Sequence, residues 1–272
     1  MIETFTQYGK LFYQSDQQCD TCGEYMTGKK VEGMEKLFCS HCISNKKQEE
    51  EEEQRKEWTE KAYQLKAVNR MKGSSLVKDK EIFQRNLRDF KVVDKETENG
   101  LNIARQAVLA INDGQTAHVI LNGVAGAGKT TLAMGMLKEI LKLDVNKHCM
   151  FLDYQFFLEE RRAGFNDSYL DKTVNKIAKD AAKANVLVID DLGAETSSSE
   201  KYKQTASDFT IRELNSILQA RENRSTIITT NLDGAKLRQA YGERIISRIL
   251  AHSKGYTVTF KETVDKRQRP VK

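Results

Sequence analysis

The sequence predicts an α/β protein in which a parallel sheet is flanked by helices, preceded by a small cysteine-rich domain and a helical connector. From about residue 100 onward, short apolar strands alternate with helical patterns. Runs of four apolar residues, such as 186–189, are typical of central parallel strands buried on both faces. Two CxxC pairs within the first 42 residues indicate a separate small domain.

The composition favours a globular protein that works away from membranes. The 272 residues are 39% hydrophobic and 31% charged, with no run near the roughly 18 apolar residues that a membrane span needs. The start, MIETFTQYGK, lacks the basic and apolar regions of a secretory signal, so we expect a cytoplasmic location and no membrane partner. Residues 241–272 contain eight basic and three acidic residues, a balance that by itself suggests a polyanionic partner.

Three segments follow from these patterns. Residues 1–45 carry the cysteine pairs, and residues 46–75 form a charged segment without proline that is dominated by helix formers. A Gly-Ser-Ser break at 73–75 ends that segment. We therefore predict a cysteine-rich domain over 1–45, a helical linker over 46–75 and an α/β domain over 76–272.

The cysteine pairs predict a zinc site. Cys19 and Cys22 are separated from Cys39 and Cys42 by 16 residues, and two such knuckles can close a tetrahedral four-thiolate shell. A closed shell leaves no position for water, so zinc would serve folding or recognition. His41 is an alternative ligand in place of one cysteine. The isolated fifth cysteine, Cys149, is expected to be a buried strand residue.

A phosphate-binding loop follows the first strand of the α/β region. The segment fits GxxxxGK[ST] and lies between an apolar strand and a helical pattern, as this motif requires. Glycines let the backbone N–H groups point at phosphate, Lys129 would reach the β- and γ-phosphates, and the Thr130 hydroxyl would ligate Mg²⁺. The predicted ATP-binding residues are Gly123, Val124, Ala125, Gly126, Ala127, Gly128, Lys129, Thr130 and Thr131.

Two later strands end in polar residues that fit the same site. Asp190 and Asp191 follow an apolar strand, where Asp190 would hold Mg²⁺ and Asp191 would polarise the attacking water, with Glu195 as the alternative. Asn231 ends the strand that begins at Ser225, and its amide can donate and accept hydrogen bonds at the γ-phosphate. The sequence therefore predicts that the α/β domain over 76–272 is an ATPase domain.

These motifs resemble the AAA+ ATPases, and within them the bacterial and phage helicase loaders of the DnaC/DnaI type. The resemblance covers about residues 85–270 and depends on GVAGAGKTTLA, VLVIDDLGAE, STIITTNLD and GERIISRI, in that order. It implies an AAA+ fold without the full C-terminal lid of many relatives. It also implies self-association, in which Arg248, or alternatively Arg244, completes the nucleotide site of a neighbouring subunit, while Arg267 is a sensor-2-like ATP contact.

The resemblance also suggests a DNA contact and a partner. The segment between the second strand and the acidic strand end corresponds to an insertion that contacts single-stranded DNA in initiator-type relatives. Its candidate contacts are Arg161, Arg162, Phe165, Tyr169, Lys172 and Lys176. An ordinary amphipathic helix explains the same residues. In the DnaI branch the N-terminal zinc-containing domain engages the helicase, so we expect residues 1–45 to contact protein rather than DNA.

The leading hypothesis is an ATP-dependent loader, with ATP, Mg²⁺ and Zn²⁺ as cofactors, that places a hexameric DnaB-type replicative helicase on single-stranded DNA. One alternative is a transposition helper ATPase of the IstB type acting on double-stranded DNA. Another is a zinc-dependent adaptor in which ATP is only a structural switch.

Overall fold

The computed structural model describes residues 12–31, 34–196 and 205–266. The chain divides into two compact units, residues 1–62 and 63–272. None of the helices in the described ranges is long and apolar enough to cross a membrane.

The N-terminal unit contains a three-stranded antiparallel sheet and the start of a long helix. The strands are β1 (Phe12–Gln18), β2 (Tyr25–Val31) and β3 (Met34–Phe38), in the order β1-β2-β3. Helix α1 (Ser40–Ser74) begins between the cysteines of the second pair and continues into the C-terminal unit. The predicted connector is therefore helical along its length.

The C-terminal unit has a five-stranded parallel sheet, as the alternating pattern predicts. The strand order is β5-β6-β7-β4-β8, and every pairing is parallel. The elements, in chain order, are α2 (Lys95–Asn112), β4 (His118–Gly123), α3 (Lys129–Leu143), β5 (Cys149–Asp153), α4 (Tyr154–Ala163), α5 (Ser168–Lys183), β6 (Val186–Leu192), α6 (Asp208–Gln219), β7 (Ser225–Thr230), α7 (Gly234–Leu250) and β8 (Thr257–Phe260).

Apolar side chains cover both faces of this sheet. One buried cluster joins α2 and α3 to the sheet, and the other joins α4, α5, α6 and α7 to it. The apolar residues of the central strands β4, β6 and β7 are buried, and Cys149 lies in β5 as a buried residue, as expected. Parallel strands bring their carboxyl ends to one edge, so the ends of β4, β6 and β7 lie together there.

A buried arginine stabilises the end of the sheet at which the parallel strands begin, opposite the candidate site. The Arg221 side chain is only 1% exposed, and its guanidinium donates to the carbonyl oxygens of Ala181 (2.6 Å), Ala184 (2.8 Å) and Ser225. Burial lowers the pKa of Arg221 to about 9. These bonds tie the end of α5 to the start of β7.

Replacing Arg221 with methionine is expected to destabilise the C-terminal unit. The change leaves buried carbonyl groups without donors, at a cost of about 3 kcal/mol. Chemical denaturation measures the loss. The control is Arg224→Ala in the same loop, because Arg224 lies three residues later, is only partly buried and donates to the carbonyl oxygen of Lys183. Equal stability of the two variants would contradict the assigned role of Arg221.

Candidate functional site

The phosphate-binding loop has the backbone conformation that its glycines were expected to permit. It runs from the end of β4 to the start of α3, and Gly128 adopts φ 98°, a left-handed conformation that favours glycine. At Gly123 a Cβ atom would lie 2.0 Å from the Phe260 carbonyl oxygen, so no larger residue fits. The loop thus places backbone N–H groups at the positive end of α3, where anions bind.

Lys129 lies inside this loop and contacts the end of β7. Its Nζ donates to the carbonyl oxygens of Gly123 (2.9 Å) and Val124 (2.8 Å) and to Asn231 Oδ1 (2.7 Å). Asn231 Nδ2 in turn donates to Asp191 Oδ1 at 3.1 Å. Three residues predicted separately from sequence therefore form one hydrogen-bonded chain across the site.

Asp190 has the environment of a metal ligand. It is buried, and desolvation together with the neighbouring Asp191 raises its pKa to about 7. Thr229 Oγ1 donates to Asp190 Oδ1 at 2.6 Å, and the nearby Thr130 side chain favours the ionised form of this carboxylate. A divalent cation would offset the cost of the buried charge, so the environment of Asp190 and Thr130 is compatible with Mg²⁺.

The geometry favours Asp191 over Glu195 for contact with the attacking water. Asp191 lines the pocket. Its backbone adopts φ 56°, a left-handed conformation that is energetically unfavourable for a residue with a Cβ atom. Thr229 Oγ1 accepts a hydrogen bond from the Asp191 backbone N–H (2.8 Å) and so holds this turn. The Glu195 carboxylate instead accepts from the Tyr241 hydroxyl and from the Gly193 N–H (3.1 Å), away from the pocket lining.

The pocket around the loop has a volume of about 470 Å³ and includes residues outside the predicted motifs. Phosphate-loop residues, Asp191 and Asn231 line it, as the motifs indicate. The lining residues that sequence reasoning missed are Arg85, Asp89, Phe90, Lys91 and Lys266. They precede α2 or follow β8, and no motif of the sequence marked them.

The two candidate arginines for contact in trans lie one helical turn apart on α7. Arg244 is exposed. Arg248 is mostly covered, and its Nη1 donates to Asn215 Oδ1 on α6 at 3.0 Å, while its Nε lies 3.7 Å from a Glu222 carboxylate oxygen. Arg267, the predicted sensor-2-like residue, lies outside the described residues.

The predicted DNA-contacting segment forms α4 and α5, and most of its candidate side chains are exposed. Phe165 is 70% and Tyr169 80% exposed, and Arg162, Lys172 and Lys176 are also exposed. Arg161 is different, because its guanidinium donates to Asn175 Oδ1 (2.7 Å) and to the Glu213 carboxylate (3.1 Å). The structure therefore does not support Arg161 as a DNA contact.

The four predicted zinc ligands converge in the N-terminal unit. The sulfur atoms of Cys19, Cys22, Cys39 and Cys42 all lie within 4.8 Å of one another. The Cys19–Cys42 and Cys22–Cys39 sulfur distances are 3.7 and 3.4 Å, near the spacing of about 3.8 Å that tetrahedral zinc with 2.3 Å bonds requires. The cluster is compatible with a structural zinc ion held by four cysteines, without His41.

Comparisons with known proteins agree with this architecture. Residues 119–252 match the model of the ATPase family associated with various cellular activities (AAA). That family domain implies a nucleotide and Mg²⁺. No curated protein is significantly similar in sequence.

Solved structures of replication proteins are similar in fold. The DnaC helicase loader is 25% identical, with a TM-score of 0.52 over 67% of this chain and all of that one. DnaI is 25% identical, with a TM-score of 0.54 over 68% of this chain and 95% of that one. The replication initiator DnaA bound to AMPPCP and single-stranded DNA is 16% identical, with a TM-score of 0.51 over 65% and 50%. The predicted AAA-type fold and the resemblance to DnaC/DnaI loaders are confirmed.

Proposed function

Residues 119–252 form an AAA-type P-loop domain, and from this premise we propose that the protein is an ATP-dependent loader of a replicative helicase. The helicase would be a hexamer of the DnaB type, and the loader would place it on single-stranded DNA in the cytoplasm when replication begins. The observation that carries the proposal is the match of two thirds of this chain to nearly the whole of DnaC and DnaI.

The hydrogen-bonded chain from Lys129 through Asn231 to Asp191 supports a hydrolytic role for the nucleotide site. The charged oxygens of ATP are stronger acceptors for the Lys129 ammonium group than the two backbone carbonyl groups and the Asn231 amide oxygen that it contacts. When Lys129 turns to the phosphates, Asn231 is released to contact the γ-phosphate. Asp191, beside Asn231, is placed to orient the attacking water. Asp190 and Thr130 would hold Mg²⁺, which would neutralise the charge that develops on the phosphates.

The exposed face of α5 supports contact with single-stranded DNA. Tyr169, Lys172 and Lys176 recur at helical spacing along it, and Phe165 lies in the turn before this helix. Lysines can neutralise backbone phosphates while exposed aromatic rings stack on unpaired bases. In this proposal the N-terminal zinc-binding domain contacts the helicase, while α5 contacts the DNA.

Mixing two inactive variants tests whether Arg248 acts in trans. We expect Arg248→Ala to lower the ATPase rate of the assembled protein at least about 30-fold, since a desolvated charge contact is lost. Lys129→Ala has an inactive site but an intact Arg248, so a mixture of the two variants should recover activity at mixed interfaces. The measurement is ATP turnover against the mixing ratio.

Arg244→Ala is the matched variant, one turn earlier on the same helix. If the Arg244 variant rather than the Arg248 variant loses activity and is complemented by Lys129→Ala, the contact in trans belongs to Arg244. Full activity of both single variants would reject a trans contact from this helix.

Co-purification with DnaB-type helicases tests the proposed function as a whole. The full chain should bind such a helicase and, with ATP, place it on circular single-stranded DNA so that duplex unwinding begins. Failure to bind any DnaB-type helicase would reject the proposal. Stimulation of ATP turnover by duplex DNA alone would instead favour a transposition helper.

A further inference from the structure

Two basic side chains from outside the phosphate-binding loop reach the nucleotide pocket. Arg85 follows a short 3-10 turn over Lys80–Gln84, and Lys266 follows β8. Both line the same pocket as Lys129. Neither makes an ion pair with a carboxylate within 4 Å in the part of the chain that the structure describes.

Arg85 lies at the positive end of α3. Its Nη1 donates to Thr131 Oγ1 at 3.1 Å, and Thr131 belongs to the first turn of that helix. A cation here is repelled by the helix dipole and by Lys129, unless an anion lies between them. Asp89 also lines the pocket, but its carboxylate is engaged by the Asn86 N–H at 2.6 Å and caps the turn beside it.

Lys266 is fixed against the loop by its own backbone. Its N–H donates to the Gly126 carbonyl oxygen at 3.1 Å, and its Nζ donates to the Lys91 carbonyl oxygen at 2.6 Å over the Phe90 ring. Glu96 anchors the preceding residues, because its Oε2 accepts from the Thr263 hydroxyl at 2.9 Å. Burial lowers the pKa of Lys266, as expected for an ammonium group held in a pocket.

The roles of successive loop residues indicate which phosphates of a bound nucleotide Arg85 and Lys266 would contact. Lys129, with Asn231 and Asp191, serves the terminal phosphates, and Thr130 belongs to the metal side beside Asp190. Thr131, the next residue, instead contacts Arg85. The Lys266 ammonium lies 3.5 Å from the position of a Cβ on Gly128, just before the helix.

We propose that Arg85 and Lys266 bind the α- and β-phosphates of the nucleotide from within the same chain. The inference rests on the proposed ATPase function and adds two binding residues to it. Because ATP and ADP share these phosphates, both residues strengthen the binding of both nucleotides. Arg85 and Lys266 do not distinguish ATP from ADP. That discrimination depends on Asn231 and on the arginine that a neighbouring subunit contributes.

Nucleotide affinities of the full chain test this assignment. Fluorescent N-methylanthraniloyl ATP and ADP are titrated with Mg²⁺ into the wild type, Arg85→Ala and Lys266→Ala. Each change is expected to weaken both nucleotides about tenfold, since one charge-assisted hydrogen bond is lost, while the ratio of the two Kd values stays unchanged. Arg85→Lys should recover part of the loss.

The matched controls are Arg88→Ala and Lys261→Ala. Both residues are exposed, lie in the same two segments and are absent from the pocket lining, so their affinities should equal those of the wild type. Affinities of Arg85→Ala and Lys266→Ala within twofold of the wild type, or a loss for ATP alone, would overturn the inference. Failure of the wild type to bind either nucleotide would overturn the proposed ATPase function and this inference together.

Discussion

Lys129→Ala is expected to reduce ATP turnover by about 10³-fold or more, to the background rate. Loss of the ammonium group removes a preorganised donor from the terminal phosphates, where charge develops during transfer. The same change also removes the hydrogen bond from Lys129 to Asn231, whose amide donates to Asp191. Phosphate release by the assembled protein measures the rate, and fluorescent ATP measures binding.

Lys142→Ala is the control for this experiment. Lys142 lies on the same helix α3 but is exposed and pairs with Glu139, outside the pocket lining. Its replacement should leave both turnover and binding unchanged. Turnover of Lys129→Ala within a few-fold of the wild type would show that the phosphates are held elsewhere.

Removal of zinc is expected to unfold the sheet formed by β1, β2 and β3. Among the described hydrophobic residues of this module, Cys39 alone is buried, so the apolar core is too small to offset the entropy of folding. Structural zinc contributes about 10–16 kcal/mol in comparable small domains. Cys39→Ser, or a strong chelator, should therefore abolish hydrogen-exchange protection over residues 12–38.

The C-terminal unit supplies the internal reference, because it has its own core on both faces of a parallel sheet. Its hydrogen-exchange protection and its nucleotide binding should survive chelation, whereas binding to the proposed helicase partner should be lost. His41→Ala should keep one zinc ion per chain and a folded sheet. A folded β1–β3 sheet in the metal-free protein would contradict a structural role for zinc.

Much of the candidate site was predictable because its motifs are contiguous. Residues 123–131 supply the phosphate loop, and Asp190 and Asp191 end a strand whose apolar pattern is unmistakable. The parallel pairing of β4, β6 and β7 then brings these segments to one edge. The CxxC spacing likewise predicted four convergent thiolates.

Packing decided the questions that spacing left open. Glu195 and Asp191 are four residues apart, and it is the folded chain that brings the Tyr241 hydroxyl and the Gly193 N–H to the Glu195 carboxylate. Arg161 looked like its neighbour Arg162 in the sequence, yet Glu213 and Asn175 hold it inside. A side chain's partner depends on residues that fold beside it, and local sequence does not specify them.

The sequence by itself determined the phosphate loop, the acidic strand end, the two cysteine pairs and the order of helices and strands, because each depends on neighbouring residues or a short repeat. Only the tertiary structure brought Arg85 to Thr131, 46 residues away, and Lys266 to Lys91, 175 residues away. Those contacts arise because the sheet places the segments before α2 and after β8 against one loop. Neither basic residue carries a pattern that distinguishes it from an ordinary solvated side chain.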